Sequence, residues 1–509
     1  MRANLTAPVS RAALLAALIA LGGCDSVGPN FSPPDPRLPA ASFRGPPAPG
    51  EPAPAAPTPA QARVESRLET WWLSFRDPTL AALAERAAGE NLDVAEASAR
   101  IGQARAQRGV AASAALPGLN GDASYQRELY SKNGVLSLAG PDLSAPPISV
   151  WQTGFDASWE LDLWGRVRRQ VESANADVSA AEDRRRDVLV STQAEIARSY
   201  AALRGAQRRV AILEENLKSA NESLAVTRTR AASGLVSDLD VQNAAALVSG
   251  VKAQIPAARN EIDANANAIS LLLGGPPGAL AASIAKPSRL RAPPIPPLGV
   301  PSELARRRPD IRAAEADLHA ATADIGVAVA DFYPSVKLNG TVALNALDAA
   351  KLWRGSSLQY QFGPTVSLPI FEGGRLKSTL ELREARQQEA AAAYRKSVLG
   401  AWREVVDALN AYDSERRRGV DLAAQVDHAR QALAISRTRY EGGVADFIRV
   451  LDAQRTMLEA MVEQQRSETN LCVDAIALYK ALGGGWRGTF PQAPPGPAPT
   501  PVEAALAPL

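Results

Sequence analysis

Residues 166–274 of this chain reappear, without a gap, at 375–483. Shifting the first run by 209 places Arg166 on Arg375, Arg230 on Arg439, Gly234 on Gly443, Val241 on Val450 and Gly274 on Gly483. Upstream the offset is 217, which places Asp93 on Asp310 and Pro117 on Pro334. The change of offset comes from a longer loop in the first half and two residues added near Gly373. A register kept over so long a run marks an internal duplication. The fold is therefore two copies of one unit.

The unit is mostly helix. Leu189, Ile196, Leu203, Val210, Leu217, Leu224 and Ala231 recur every seven residues, with Thr192, Ser199, Ala206, Leu213, Ala220 and Thr227 three further on. This is a heptad seam with one column of mostly small residues, which lets neighbouring backbones approach closely. The column returns as Val398, Val405, Tyr412, Gly419, Val426, Leu433 and Tyr440. Ser233-Gly234 stops the first long helix, and a second begins at once with Val241, Val248, Ile255, Ile262 and Ile269 before Gly274-Gly275-Pro276. Two such helices joined by a few residues make an antiparallel hairpin. The long helices, 166–233 and 375–441, are each about 100 Å at 1.5 Å per residue. In each half the remaining two helices (79–113 with 237–273, and 302–331 with 445–482) add up to nearly that length. Stacked end to end they make a two-layer rod.

Strands precede each long helix. In VWQTGFDASWELDL (150–163), the odd positions carry Trp151, Phe155, Trp159 and Leu161, and the even ones Gln152, Asp156, Ser158 and Glu160. A period of two places these sets on opposite faces. One such strand fits a half-buried soluble sheet as well as an outer-membrane barrel with its apolar side to lipid. Leu119, Gly121, Ala123 and Tyr125 alternate likewise, as do Val336, Leu338, Val342 and Leu344, then Tyr360, Phe362, Val366, Leu368 and Ile370. Four strands cannot close a barrel, and an open sheet leaves bare edges in lipid. Such a chain must oligomerise, and three copies supply twelve strands.

The N-terminus has Arg2 and Arg11, an apolar run over 12–21, and then Leu21-Gly22-Gly23-Cys24. The run is too short to span a bilayer and has the layout of a cleaved signal. Ending in L-G-G-C, it resembles a bacterial lipobox, in which Cys24 becomes the lipidated first residue; the other reading is an ordinary signal with a coincidental cysteine. No later stretch offers eighteen consecutive apolar residues, so any membrane crossing is made by strands. Prolines gather at 29–59, at 276–301 and in the tail from Pro491. The expected organisation is a signal peptide (1–23), a Pro/Ala-rich tether and equatorial segment (24–68), repeat 1 (69–274), a Pro-rich linker (275–301), repeat 2 (302–486) and a Pro-rich tail (487–509). Strands are expected at about 117–129, 149–164, 334–346 and 358–371, and hairpin tips at 234–237 and 442–446.

Several runs carry a family resemblance: Leu21–Cys24 with VGPNFSPPDP, WWLSFRDPTLAAL, RRRPDIRAAEADLHAATADIGVAVADFYPSVKL, PIFEGGRL, RTRYEGGVADFIRVLDAQR and LYKALGGGW. Together they resemble the TolC-like outer-membrane efflux factors, in the lipoprotein (NodT/OprM-like) branch that serves resistance–nodulation–division pumps. The resemblance covers nearly all of Cys24 to Trp486. It implies a homotrimer with a twelve-stranded outer-membrane β-barrel, a long periplasmic α-helical barrel and an equatorial belt. It also implies a periplasmic adaptor and an inner-membrane resistance–nodulation–division transporter as partners, and a passive exit duct for drugs or other small molecules. It places the periplasmic aperture at Ile448, Asp452 and Arg455, which spacings of four and three put on one helical face. On spacing alone, Asp452 and Arg455 also read as a solvated i,i+3 ion pair. Other members carry an acidic residue where this chain has Arg449; the first-repeat counterpart, Asp240, suggests a salt link between hairpins. The tips Gly234-Leu235-Val236-Ser237 and Gly443-Val444-Ala445-Asp446 match the family's adaptor-docking turns, and each glycine also suits a helix C-cap.

No enzyme chemistry is visible. His319 and His428 lie inside heptad helices and read as helix-surface residues, Cys472 sits on an apolar column, and Gly483-Gly484-Gly485 is a helix stop. No cofactor or metal is expected beyond the lipid on Cys24. Lys+Arg 56 against Asp+Glu 54 gives a net charge of +2, which offers no support for a nucleic-acid partner. Two other readings share these features: the exit duct of a protein secretion system and, from a different class, a coiled-coil scaffold without a pore. A scaffold, however, needs no lipid-facing strand.

Overall fold

The computed structural model describes residues 26–35, 68–129, 131, 146–295 and 304–490. The signal peptide, Cys24, most of the tether, residues 296–303 and the tail from 491 lie outside the described residues. In chain order the main elements are α1 (Pro78–Glu90), α2 (Leu92–Ser113), β1 (Gly118–Glu128), β2 (Ile148–Leu161), α3 (Arg166–Ala232) and α4 (Asp238–Leu272). The second copy supplies α5 (Pro309–Ala330), β3 (Ser335–Ala346), β4 (Leu358–Ser367), α6 (Arg375–Glu441) and α7 (Phe447–Ala481). The two long helices, α3 and α6, are each 67 residues and the two return helices 35 each, so the repeat is kept to the residue there.

Three of the expected elements need correction. The segment 79–113, expected as one helix, is two: α1 and α2 part at Asn91. The Asn91 side chain accepts from Val94 N at 2.9 Å, capping α2. In the second copy a single turn, Leu304–Arg307, precedes Pro309, and α5 begins there because proline tolerates the first helical position. β4 also ends at Ser367, short of the expected 371; Pro369 has no N–H to continue the ladder.

The expected end-to-end stacking is present in both copies, by different side chains. Asn91 Nδ2 donates to Leu272 O at 2.8 Å, joining the start of α2 to the end of α4. At the matching positions Arg308 Nη1 donates to Ala481 O at 3.0 Å, joining α5 to α7. Arg308 is also held by Asp310 (2.7 Å) and Glu404 (2.7 Å); burial opposes its charge, and these carboxylates outweigh that to raise its pKa.

The main core sits about the middle of the rod. Leu80, Leu189, Ile196, Leu203 and Ile269 pack there with Val398, Val405, Tyr412 and Ile476. Trp71, in a 3-10 turn before α1, stacks on Tyr479 with ring centres 5.5 Å apart, and Trp486 Nε1 donates to Arg307 O at 3.0 Å. Gly484 is needed where the chain passes this cluster, because a Cβ there would lie 2.4 Å from Leu68 O.

The four strands form one antiparallel sheet in the order β1-β2-β3-β4. Its register settles the faces. Tyr125 is opposite Trp151, Phe155 opposite Val342, Trp159 opposite Leu338, and Val342 opposite Tyr360. Because a strand alternates, every one of these apolar residues falls on the same face of the sheet. The other face is polar and linked across strands: Asn120 donates to Asp156 at 3.2 Å, Ser158 to Asn339 at 2.8 Å, and Asn339 to Thr365 at 3.0 Å. Tyr360, Phe362 and Val366 on the apolar face are exposed. Among the described residues, β1 and β4 each keep an unpaired edge.

Candidate functional site

The two hairpin tips share one backbone geometry. In the first, Gly234 (φ 72°) donates to Ala231 O at 2.9 Å and Leu235 N to Arg230 O at 2.9 Å. In the second, Gly443 (φ 68°) donates to Tyr440 O at 3.1 Å and Val444 N to Arg439 O at 2.9 Å. These are the paired bonds that close a helix through a left-handed residue, which is why glycine occupies both positions. Each tip then exposes two aliphatic side chains one turn apart: Leu235 (73%) with Leu239 (67%), and Val444 (71%) with Ile448 (42%). Exposed Leu and Val in matching pairs on both tips point to a surface made to be covered.

The helix starts after the tips differ. Asp240 Oδ2 accepts from Ser237 N at 3.2 Å and Ser237 Oγ at 3.0 Å, fixing the first turn of α4. Asp446 opens α7 with no side-chain cap. Asp240 therefore already has work within its own turn, and it does not meet Arg449 inside the protomer.

Ile448, Asp452 and Arg455 are all exposed on one face of α7, as their spacing requires. Among the described residues, no ion pair joins Asp452 to Arg455 within the protomer, and Arg449 has no carboxylate partner. The solvated i,i+3 pair that the spacing allows does not form. Asp452, Arg455 and Arg449 are exposed without an ion-pair partner in the protomer, among the described residues.

Sequence reasoning missed the polar ties between the two hairpins. Arg230 donates to Tyr440 O at 3.1 Å and to Glu441 O at 3.4 Å, and Gln454 Nε2 to Ser223 Oγ at 2.9 Å. Arg437 donates to Ser219 Oγ. They flank an apolar plug of Leu224, Ala244, Leu433, Tyr440, Phe447, Val450 and Leu451. The available signal was that Arg230 and Arg439 each stand four residues before a tip glycine.

At the sheet end of the rod, residues 26–35 do not hang as a free tether. Arg169, 3% exposed, donates to Val27 O at 3.2 Å and Asn30 Oδ1 at 2.6 Å, while Val27 N reaches Trp164 O at 3.1 Å. Phe31 stacks on His319 with centres 4.3 Å apart, and His319 Nε2 lies 2.9 Å from Glu172 Oε1. His319 is thus a clasp for this strap rather than a free surface residue; His428 is exposed, as expected. Midway along the rod, Asp77 caps α1 through Thr79 N (2.9 Å) and accepts from Tyr200 (2.9 Å) and Ser288 (2.9 Å). That carboxylate ties a long helix to the segment that follows α4. Among the described residues, no cluster of His, Cys, Asp and Glu could hold a metal, and no helix is long and apolar enough to cross a membrane.

A long two-layer rod, an amphipathic sheet with open edges and paired exposed tips are together the parts of a channel subunit. Comparison with known proteins decides the matter. The family described as outer membrane efflux protein matches residues 83–275 and again 300–484, one match over each repeat. The chain belongs to the outer membrane efflux protein family. It is similar to outer membrane protein OprJ of Pseudomonas aeruginosa, at 35% identity over 417 residues, 82% of this chain and 86% of that one. It is 33% identical to the pyoverdine export outer membrane protein OpmQ of Pseudomonas putida over 85% of this chain and 91% of that protein. The solved outer-membrane channel OprN superposes with a TM-score of 0.79 at 34% identity, covering 91% of this chain and 99% of OprN. Within this family the chain is an outer-membrane component of an efflux pump, and its relatives are channels rather than enzymes.

Proposed function

We propose that three copies of this chain join β4 of one to β1 of the next, closing a twelve-stranded barrel above a tunnel of six hairpins. The observation that carries this reading is the sheet: an exposed apolar face, a cross-linked polar face and two bare edges. In hydrocarbon each unpaired backbone group costs several kcal/mol, so the edges demand partners, and only closure removes them all. The polar face then lines a watery lumen and the apolar face meets lipid. The assembly is a passive exit duct for drugs or other small molecules, anchored also by lipid on Cys24. The tips at Gly234, Leu235, Ser237, Gly443, Val444 and Asp446 dock a periplasmic adaptor, which links the duct to an inner-membrane resistance–nodulation–division transporter. Ile448, Asp452 and Arg455 from three copies form the closed aperture, with Arg449 and Asp240 beside them.

The unpaired state of Asp452 and Arg455 supports the aperture, because charges without partners in the protomer are free to meet across a threefold axis. Purified protein is expected as a trimer in mild detergent. Asp452→Ala with Arg455→Ala should raise open probability in planar bilayers roughly fivefold or more, since three sets of links are lost at once. Adding Arg449→Ala should increase the effect if Asp240 is its partner. Monomeric protein that still inserts in bilayers would overturn the assembly; unchanged conductance in intact trimers would move the gate elsewhere.

A further inference from the structure

Three polar ties near the tips cross the seam between the two hairpins of one protomer, and the duplication says where their copies fall. In the first tie, Arg230 from one hairpin caps the end of α6 in the other, donating to Tyr440 O at 3.1 Å and Glu441 O at 3.4 Å. Its guanidinium carbon lies 4.5 Å from the centre of the Tyr440 ring. Tyr440 O already accepts from Gly443 N at 3.1 Å, so the arginine takes its second lone pair. A cation at a helix C-terminus also meets the negative end of the dipole.

Shifted by 209, the donor becomes Arg439 and the acceptors become the carbonyls of Ala231 and Ala232. Both sides of this second cap are ready. Ala231 O accepts from Gly234 N at 2.9 Å, as Tyr440 O does from Gly443. Arg439 is exposed and, among the described residues, its guanidinium has no hydrogen-bond or ion-pair partner in the protomer. Where hairpins alternate around a common axis, the face of the second hairpin carrying Arg439 looks toward the first hairpin of the next copy.

The other two ties do not keep their chemistry through the shift. Gln454 with Ser223 becomes Ala245 with Ala432, which cannot hydrogen-bond through their side chains. Arg437 with Ser219 becomes Arg228 with His428, in which a ring nitrogen replaces the hydroxyl as acceptor. Of the three, only the arginine cap can be rebuilt between copies with the same chemistry.

We infer that Arg439 is an intersubunit latch: its guanidinium caps the Ala231 and Ala232 carbonyls at the end of the neighbouring protomer's first long helix. The inference rests on the trimer proposed above and adds a residue to its closed state. Of the three ties of the internal seam, it is the one that the seam between copies repeats.

Paired cysteines test the geometry in full-length protein in the outer membrane. Arg439→Cys with Ala232→Cys, treated with a short bis-maleimide, should give covalent dimers and trimers on a denaturing gel. Arg230→Cys with Glu441→Cys should link within one chain and stay at monomer size, and each single variant serves as a control. In bilayers Arg439→Ala should raise open probability about fivefold, and Arg439→Lys should recover only part of the closed state, because an ammonium still donates to a carbonyl but lacks the planar fork that holds two. Intact trimers without intersubunit linkage from the first pair would overturn the latch and leave the channel reading standing. Monomers in mild detergent would overturn both.

Discussion

The long helices α3 and α6 have the same length and the same heptad register, yet they live in different surroundings. In α3, 28 of 67 residues are buried; in α6, 11 of 67 are. α3 is packed by α1, α2, α4, α5 and α7, whereas α6 has α5 and α7 along one side. Val190 is 4% exposed and its copy Leu399 is 49% exposed. Arg186 is buried in a cluster with Asp183, while its copy Arg395 is exposed. Duplication supplied two equivalent helices, and the protomer covers only one of them. The uncovered side of α6 is apolar in places where a helix in water gains nothing from being apolar, which is the expected state of a surface awaiting another copy.

The largest effect should separate the two copies of one position. Val190→Asp places a charge in a closed core and should prevent accumulation of folded protein, at a cost of several kcal/mol. Leu399→Asp makes the same chemical change on the open face. It should leave a protease-resistant protomer and shift the trimer to smaller species on size exclusion in detergent. If Leu399→Asp trimers are as stable as wild type, the bare side of α6 is not the contact surface and the comparison loses its meaning.

A smaller effect concerns charge. Asp187 on α3 is pushed up to about 6, chiefly by burial and then by Asp310, whereas its copy is the exposed Lys396. A carboxyl whose folded pKa lies above its unfolded value near 4 favours the protonated form in the native state. It therefore destabilises progressively as pH rises from about 4 to about 6, and the penalty is complete above that. Asp187→Asn should stabilise by about 1–2 kcal/mol at pH 8 and by much less at pH 4. Thermal melts at the two pH values read the difference directly. Equal gains at both would show that the amide packs better for reasons unrelated to charge.

Much of this arrangement was legible beforehand, for physical reasons. A heptad column and a period of two are local signals, and the tips are written by glycine at a left-handed turn. The end-to-end stacking followed from lengths alone, and the bonds at Leu272 and Ala481 fulfil it. What could not be read was partnership. Arg230 and Arg439 are the same residue at the same repeat position, and only the tertiary packing gives one of them a carbonyl to cap. Leu189 and Val190 are equally apolar neighbours, and nothing local says that the copy of one, Val398, is buried while that of the other is bare. The break at Asn91 had a signal, a capping residue before Val94, that the continuous apolar pattern concealed. The clasp of Arg169 on residues 26–35 brings together positions some 140 apart in the chain, beyond any local signal.

The smallest effect, and the cleanest check on how α7 seats against α3, is a thiol that should not react. Cys472 lies on α7 and is 2% exposed, near Gly205 of α3, where an added Cβ would come within 2.4 Å of Thr469 Oγ1. That close approach is specific to the second copy of the return helix: the position matching Cys472 in α4 is Asp263, which is exposed. Burial, with Glu468 adding to it, pushes the Cys472 thiol up to about 12. At pH 8 the thiolate fraction is then roughly one part in ten thousand, and the thiolate is the reacting species. Native protein treated with a maleimide at pH 8 should leave the Cys472 peptide unmodified, and unfolding in guanidinium should make it react fully. Asp263→Cys should label readily in the native state, with no loss of melting temperature. Rapid native labelling of Cys472 would mean that α7 leaves α3 often enough to admit the reagent, and the asymmetry between the two copies would then be far smaller in solution than the packing implies.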